Sequence, residues 1–402
     1  MKLRKLLILS AGVLLLSGCV KKDGPISSST VNQKSPATSQ DLVLYNTLVD
    51  KNDNWMFSPY SIKDAFSILY HGADDDTKEE FKNVLGLDEE VVSAIRDYDR
   101  YITEQEKESI RIANRAYVTD NQAIKKQLNV DILGLGKKEV EDMDVSHPKK
   151  AADKINQFVN DTTNGKISNL VSSEQIREDS SIIIVNSLYF NKEWDFEKGN
   201  IKWGDGNNYK AFCDYDYSVK NIKEVDNENI DILRLDYGTK SRYAMTIFAK
   251  SVNAKENRVD EYLEHMDSEE LQEILDFKDY GGLKNYDSAE FYVPNFEFSN
   301  KYQIKESLKE LGMRATFSGG FNELGPVDIS DVIHATYIKT NEKGTEAAAA
   351  TAIGMETMSA KVEPKKIKTV MADDTFVFVI SDTETDTILF MGRVVTPSEQ
   401  QG

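Results

Sequence analysis

The sequence is poor in the residues on which most catalytic and metal sites depend. Its 402 residues include two cysteines, Cys19 and Cys213, and four histidines. Two cysteines exclude a disulfide framework. There is no Cys-x-x-Cys, no His-Glu-x-x-His, no Gly-x-Ser-x-Gly and no P-loop. Basic residues are also short, 49 against 68 acidic, for a net charge of −19. Nucleic acid is therefore an unsuitable partner, because phosphate-backbone binding needs a basic face. No apolar run reaches the ~20 residues that span a bilayer. What remains is ordinary globular material, 40% hydrophobic and 29% charged. The length suggests two or three domains but also allows one large domain with a sizeable core.

Two local patterns tempt a chemical reading and fail. The run Asp74, Asp75, Asp76 lacks the spaced oxygens and closing Glu of a calcium loop, and reads as a solvated turn. Ser330 and His334 are four apart, but a strand there does not hold them in nucleophile–base geometry. The chain is read as a non-enzyme with no cofactor and no metal.

The first residues form a secretory address. Lys2, Arg4 and Lys5 precede an apolar run, 6–16, of signal-peptide proportions. Leu16-Ser17-Gly18-Cys19 resembles the bacterial lipobox, which implies a signal at 1–18 and a lipid on Cys19. Loss of three positive charges with the signal takes the net charge from −19 to −22. Anionic headgroups repel such a body, so the acyl chains must hold it to the outer face of the membrane. Residues 19–40 are rich in Ser, Thr, Pro, Asn and Gln, and read as a flexible tether reaching on the order of 25 Å. The folded domain is placed at 41–402. Cys213 is expected to be a buried free thiol.

Apolar spacing predicts helices at 41–50, 62–70, 77–85 and 151–164, with Gly86 and Gly165 closing the last two. β-branched and apolar runs predict strands at 181–190, 244–249, 291–298, 332–340, 376–380 and 389–395. Helices lead and strands follow, which is an α+β pattern.

The informative stretch is 342–352, Glu-Lys-Gly-Thr-Glu-Ala-Ala-Ala-Ala-Thr-Ala. Propensity alone makes it a short helix. Uniformly small side chains also suit a segment that slides between the strands of a crowded sheet. This stretch resembles the reactive-loop hinge of the serpins. So do 54–62 (Asn-Trp-Met-Phe-Ser-Pro-Tyr-Ser-Ile), Gly72-Ala73 with Thr77, and Ile155-Asn156 through Thr162 to Gly165-Lys166-Ile167. Further along, Val185-Asn186-Ser187-Leu188-Tyr189-Phe190 with Trp194, Val293-Pro294-Asn295-Phe296, Leu311-Gly312-Met313 and Phe390-Met391-Gly392-Arg393-Val394 with Pro397 also match. The motifs run in order over about 41 to 398.

The resemblance implies a fold of three β-sheets and about nine helices with an exposed reactive loop at about 342–370. It implies a monomeric suicide inhibitor of serine, and conceivably cysteine, proteases. Cleavage acylates the protease, and the loop then enters the central sheet as a new strand, dragging the protease with it. Serpin loop insertion is itself a standing example of strand addition and strain release. In the hinge, Glu342 precedes the pivot Gly344. Thr345, Ala347, Ala349 and Thr351 should face inward after insertion, and Glu346 should face solvent. Ala348 and Ala350 complete the clean run. Family spacing puts the bait bond at Met358-Ser359, suiting elastase-, chymotrypsin- or subtilisin-like targets. The following stretch is longer than usual, so Met355 or Lys361 is an alternative, and Lys361 would select trypsin-like enzymes. Ser58, Ser61, Asn186 and His334 match the shutter beneath the sheet, and Trp194 matches the breach. Lys361, Lys365, Lys366 and Lys368 form a basic cluster that reads equally as a solvated loop or as a steering surface for an acidic protease. Competing readings are a non-inhibitory surface binding or display protein of the same family, and a lipid-anchored enzyme or solute-binding protein.

Overall fold

In the computed structural model, residues 39–119, 140–238, 242–277, 283–321, 327–346 and 365–398 are described. Small polar side chains ahead of apolar runs start the helices. Helix α1 (Ser39–Leu48) buries Leu42, Leu44 and Tyr45 and leads to strand β1 (Trp55–Phe57). In α2 (Pro59–Ser67), Ser58 caps by accepting from the Ser61 N–H, and Pro59 takes the first helical position. Every residue of α2 is buried. Asp74 caps α3 (Asp75–Glu80) and Asp88 caps α4 (Glu89–Tyr101). The run Asp74, Asp75, Asp76 thus opens a helix, its carboxylates set against unpaired N–H groups. The 77–85 expectation becomes α3 followed by a wider turn, Phe81–Leu85, which Gly86 ends at φ 69°.

Three short strands follow, β2 (Ile110–Ile112), β3 (Arg115–Thr119) and β4 (Val140–Met143). Next come α5 (Pro148–Thr162) and β5 (Ile182–Phe190), whose nine residues are all buried. A strand-rich stretch then runs through β6 (Lys192–Glu193), β7 (Glu197–Lys202), β8 (Asn208–Tyr217), β9 (Ile222–Val225), β10 (Ile230–Asp236) and β11 (Tyr243–Lys250). Helices α6 (Val259–His265) and α7 (Ser268–Asp276) separate it from β12 (Ser288–Pro294) and β13 (Phe296–Gln303). The single strand expected at 291–298 is these two, broken where the chain passes between sheets. Helix α8 (Lys305–Glu310) precedes β14 (Ile329–Asn341), β15 (Gly344–Thr345), β16 (Ile367–Met371), β17 (Phe376–Asp382) and β18 (Thr387–Val394). The described residues hold eight α-helices.

The strands make three sheets. The six-stranded sheet runs β1-β18-β17-β11-β10-β9, and the four-stranded sheet runs β16-β12-β8-β7. The eight-stranded sheet has the path β4-β3-β5-β14-β15-β6, with β13 on β14 and β2 on β5. Buried α2 packs against β18 of one sheet and β5 of another. Helix α5 lays Ile155 and Val159 over Tyr117, Ile183, Val185 and Ile333 of the eight-stranded sheet. Each such side chain contributes ~1.5–3 kcal/mol of burial. Helix α5 therefore roofs the strands β3, β5 and β14, and anything that widens the sheet must shift it.

Candidate functional site

Strands β5 and β14 run parallel and pair directly from Ile182–Ile329 to Ser187–Ala335. Near the end of that pairing His334 stands opposite Asn186, and both are fully buried. His334 Nε2 accepts from the Ser58 N–H at 3.0 Å, while its Nδ1–H meets Asn186 Oδ1. Two such contacts fix one neutral tautomer, protonated at Nδ1. Ser61 Oγ donates to Asn114 Oδ1 (2.9 Å), and that same oxygen accepts from the Ser187 N–H (3.2 Å). A polar chain thus ties α2 to both central strands. Ser58, Ser61, Asn186 and His334 are brought together, and Asn114 joins them. Ser330 is turned elsewhere, its Oγ accepting from the Ser181 N–H at 2.8 Å.

Beyond Ser187 and Ala335 the two strands part. At the far end the short strand β15 lies between β14 and β6, the strand that follows β5 after Asn191. Gly344 and Thr345 pair antiparallel with Asn341 and Thr340 of β14 on one side, and with Glu193 and Lys192 of β6 on the other. The mouth of the sheet already holds the first residues of an extra strand. Gly344 is required there: its φ is 145°, and a Cβ would sit 2.3 Å from the Lys192 carbonyl oxygen. Thr345 is buried, and its hydroxyl shares a 2.7 Å hydrogen bond with Tyr237. Tyr237 stacks on Trp194 at 4.8 Å between ring centres. The Trp194 indole donates to the Asn341 carbonyl (2.7 Å), and its backbone N–H donates to the Lys343 carbonyl (3.0 Å). Glu342 pairs with Lys198 at 3.2 Å.

The chain then departs from strand geometry. Glu346 has φ 63° and is buried, with its carboxylate 3.0 Å from Lys166 just beyond α5. Burial pushes its carboxyl pKa up, and Lys166 pulls it back. In this intact state Glu346 does not face solvent; the solvent-facing position expected of it belongs to the extended, inserted strand.

The family model "Serpin (serine protease inhibitor)" matches residues 38–397. An uncharacterized serpin-like protein of Methanosarcina mazei is 30% identical over 96% of this chain and 95% of its own length. This chain is a serpin. A further uncharacterized serpin-like protein, from Thermococcus kodakarensis, is 29% identical over 89% of this chain and 84% of its own. Among solved structures, the thermophilic serpin tengpin in its native state superposes with a TM-score of 0.69. It is 22% identical, with 93% of this chain and 96% of that one covered. Serpin48 of the insect Tenebrio molitor gives a TM-score of 0.67 at 24% identity, covering 91% of this chain and 96% of that one. Serpins are in general inhibitors that bind proteases rather than enzymes.

The serpin's remaining expected sites divide. Cys19, Ala347, Ala348, Ala349, Ala350, Thr351, Met355, Met358, Ser359 and Lys361 lie outside the described residues. Cys213 is a buried free thiol whose pKa burial pushes up. The basic cluster is smaller than its sequence suggests. Lys368 is buried, 2.8 Å from Asp231 and also paired with Glu224, so it holds β16 to its neighbours and offers no surface charge. Lys365 pairs with Asp216 at 3.0 Å. Tyr237 and Asn114 escaped sequence reading. Asn114 left no clear trace, since it stands beside Arg115 in the mixed polar and apolar stretch 110–118.

The buried imidazole makes a pH prediction. Desolvation lowers the His334 pKa to about 3, and a proton on Nε2 would also face the Ser58 N–H. Unfolded histidine titrates near ~6.5. Below that pH the unfolded chain gains a proton the fold refuses, so stability falls by up to ~1.4 kcal/mol per pH unit until the folded pKa is reached. Asp64 acts in the opposite sense. Burial raises its carboxyl to about 6, so its neutral form favours the fold at low pH, and that contribution fades as pH rises through 6. Glutamine at position 334 cannot charge. Wild type should therefore lose stability relative to His334→Gln between pH 6.5 and 4, read as urea midpoints. A pH-independent gap would mean that the imidazole protonates in place.

Proposed function

We propose that this serpin is an irreversible suicide inhibitor of serine proteases, cleaved at Met358-Ser359 and completed by insertion of the loop between β5 and β14. The single observation carrying this reading is the lodged strand at the sheet mouth. Gly344 and Thr345 are paired on both sides where β5 and β14 diverge. Beyond Glu346, residues 347–352 are small enough to follow them. Strand β15 is antiparallel to both flanks. Continued entry thus exchanges one parallel ladder for two antiparallel ones, which are the slightly more stable kind. About fourteen inserted residues, at a net ~1 kcal/mol per hydrogen bond, supply on the order of 10 kcal/mol.

Methionine before the bait bond supports an elastase-, chymotrypsin- or subtilisin-like target, since a trypsin-like acidic pocket finds no charge to pair with. The lipobox-like Cys19 supports a protein tethered by lipid to the outer face of a bacterial membrane, acting there as a monomer on proteases that reach the cell surface.

The test is incubation with subtilisin, elastase, chymotrypsin and trypsin in turn. An SDS-stable complex should form, and mass spectrometry should find a released C-terminal peptide beginning at Ser359. A peptide beginning at Val362 with trypsin would move the bait bond to Lys361. Clean cleavage with every protease and no complex would overturn inhibition and leave a surface binding or display protein.

A further inference from the structure

The hinge carries a buried carboxylate that strand insertion by itself does not call for. Glu346 follows β15 with its side chain only 6% exposed, one oxygen lying 3.0 Å from the Lys166 ammonium. Its seat lies where the central strands part. Ile183 and Val185 of β5, with Ile333 and Ala335 of β14, pack against α5. Two-residue alternation carries that face on to Tyr189 and Tyr337, the first side chains on it beyond the last β5–β14 pair. The Tyr189 hydroxyl donates to the Glu346 carboxylate, and Tyr337 stands close enough to feel its charge. The Lys166 ammonium is 5.1 Å from the centre of the Tyr337 ring. Tyr337 and Lys339 are themselves engaged with Glu297, at 2.8 and 2.7 Å. Lys166 is thus the cation that balances Glu346.

Both halves of the pair are placed by backbone. Lys166 sits in the reversal that ends α5, where the Gly165 N–H donates to the Asn160 carbonyl (2.8 Å) and the Lys166 N–H to the Thr163 carbonyl (3.1 Å). Opposite it, the Glu346 N–H donates to the Lys339 carbonyl, one step past the Thr345–Thr340 pair. The ladder register already holds at Glu346, but its φ of 63° is not that of a strand. The left-handed region disfavours any residue with a Cβ, so contacts of the side chain must hold it there. For the strand to continue, φ must swing to about −140°. With the nitrogen held by Lys339, that rotation carries the Cβ away from its present place. The carboxylate must then leave Lys166 and Tyr189.

We propose that Lys166 is a positioning residue for insertion: its ion pair with Glu346 latches the hinge in the left-handed turn, and release of the pair is the step that admits the strand beyond Thr345. The latch also ties the hinge to the end of α5, the helix that must shift when the sheet widens. One release frees both. The effect on the rate of insertion rests on the inhibitor reading, whereas the latch itself does not.

The experiment begins with the intact full chain and no protease. Amide exchange at Glu346, corrected for intrinsic rate, reports how often the turn opens. Lys166→Met should speed it on the order of fivefold, the worth of a partly exposed ion pair. Lys166→Arg keeps the charge and should match wild type. Glu346→Gln should speed exchange as much as Lys166→Met does, and the double variant no further, since both remove one interaction. Lys149→Met makes the same net-charge change at the other end of α5, on a side chain 83% exposed, and should leave exchange unmoved. Equal exchange in wild type and Lys166→Met, additive effects of the two single changes, or equal acceleration by Lys149→Met each overturns the latch. A second arm adds a protease that wild type traps and follows tryptophan emission as the strand enters past Trp194. Entry should be faster in Lys166→Met and Glu346→Gln, again on the order of fivefold, and unchanged in Lys166→Arg. Faster exchange with unchanged entry overturns the role in insertion. Failure of wild type to trap any protease would sink the inhibitor reading alone, and the exchange arm still decides the latch.

Discussion

Thr345→Arg is expected to convert the protein from an inhibitor into a substrate. Thr345 is 2% exposed and lies between Thr340 of β14 and Lys192 of β6. Its hydroxyl bonds Tyr237, which stacks on Trp194. An arginine here must either carry its guanidinium into that packed aromatic site or keep the strand out. Burying an unpaired charge costs several kcal/mol even after relaxation. Set against an insertion gain on the order of 10 kcal/mol, entry would remain downhill but much slower. A barrier raised by ~3–4 kcal/mol slows the step by a factor of several hundred. Insertion competes with hydrolysis of the acyl-enzyme, so hydrolysis wins. On SDS gels the variant should yield cleaved protein and free active protease, with wild type yielding complex. Thr345→Ser keeps the hydroxyl and the size, and should retain complex formation. Complex formation by Thr345→Arg at the wild-type stoichiometry would show that the buried seat of Thr345 in the sheet does not limit inhibition.

Much of this site was legible because its residues obey simple rules. Small side chains in 345–351 mark a segment built to be buried, and Thr345 is buried. The polar set Ser58, Ser61, Asn186 and His334 sits in otherwise apolar runs, where each polar group must find a partner, and they partner one another. The buried strand β5 showed as consecutive β-branched residues. Other parts were hidden for physical reasons. Strands β7 and β8 carry exposed polar residues on much of their length, so no apolar run announces them. Helix α4 is rich in charge and buries only Val92, Ile95, Tyr98 and Tyr101. Lys368 looked like surface charge because a sequence does not display its partners, Asp231 and Glu224, more than a hundred residues away. Glu346 has a left-handed backbone in the intact state, so the alternation expected of the inserted strand does not describe it there.

The second large effect concerns the energy of the intact state. Below the mouth, β5 and β14 are joined by a parallel ladder, and α5 is packed across them. The extra strand has begun at Gly344 and Thr345, and the next residue, Glu346, turns out of strand geometry with φ 63°. On the proposed mechanism the uncut loop is held back by its far end, which leads to β16, where Lys368 makes buried ion pairs. Cutting the loop releases the hinge side from that anchor. On that mechanism the strand then runs down the sheet, parting β5 from β14, moving α5 and gaining ladder bonds on both edges. At about 2 °C or less per kcal/mol for a chain of this size, a gain on the order of 10 kcal/mol raises the unfolding temperature by on the order of 20 °C.

That shift is measured by nicking the loop with a protease the serpin does not trap, removing the protease, and melting cut and intact protein side by side under calorimetry. The cut form is expected to unfold well above the intact one, by tens of degrees, while Thr345→Arg after the same cut should gain far less. Coincident melting of cut and intact wild type would mean that the fold holds no reserve for inhibition.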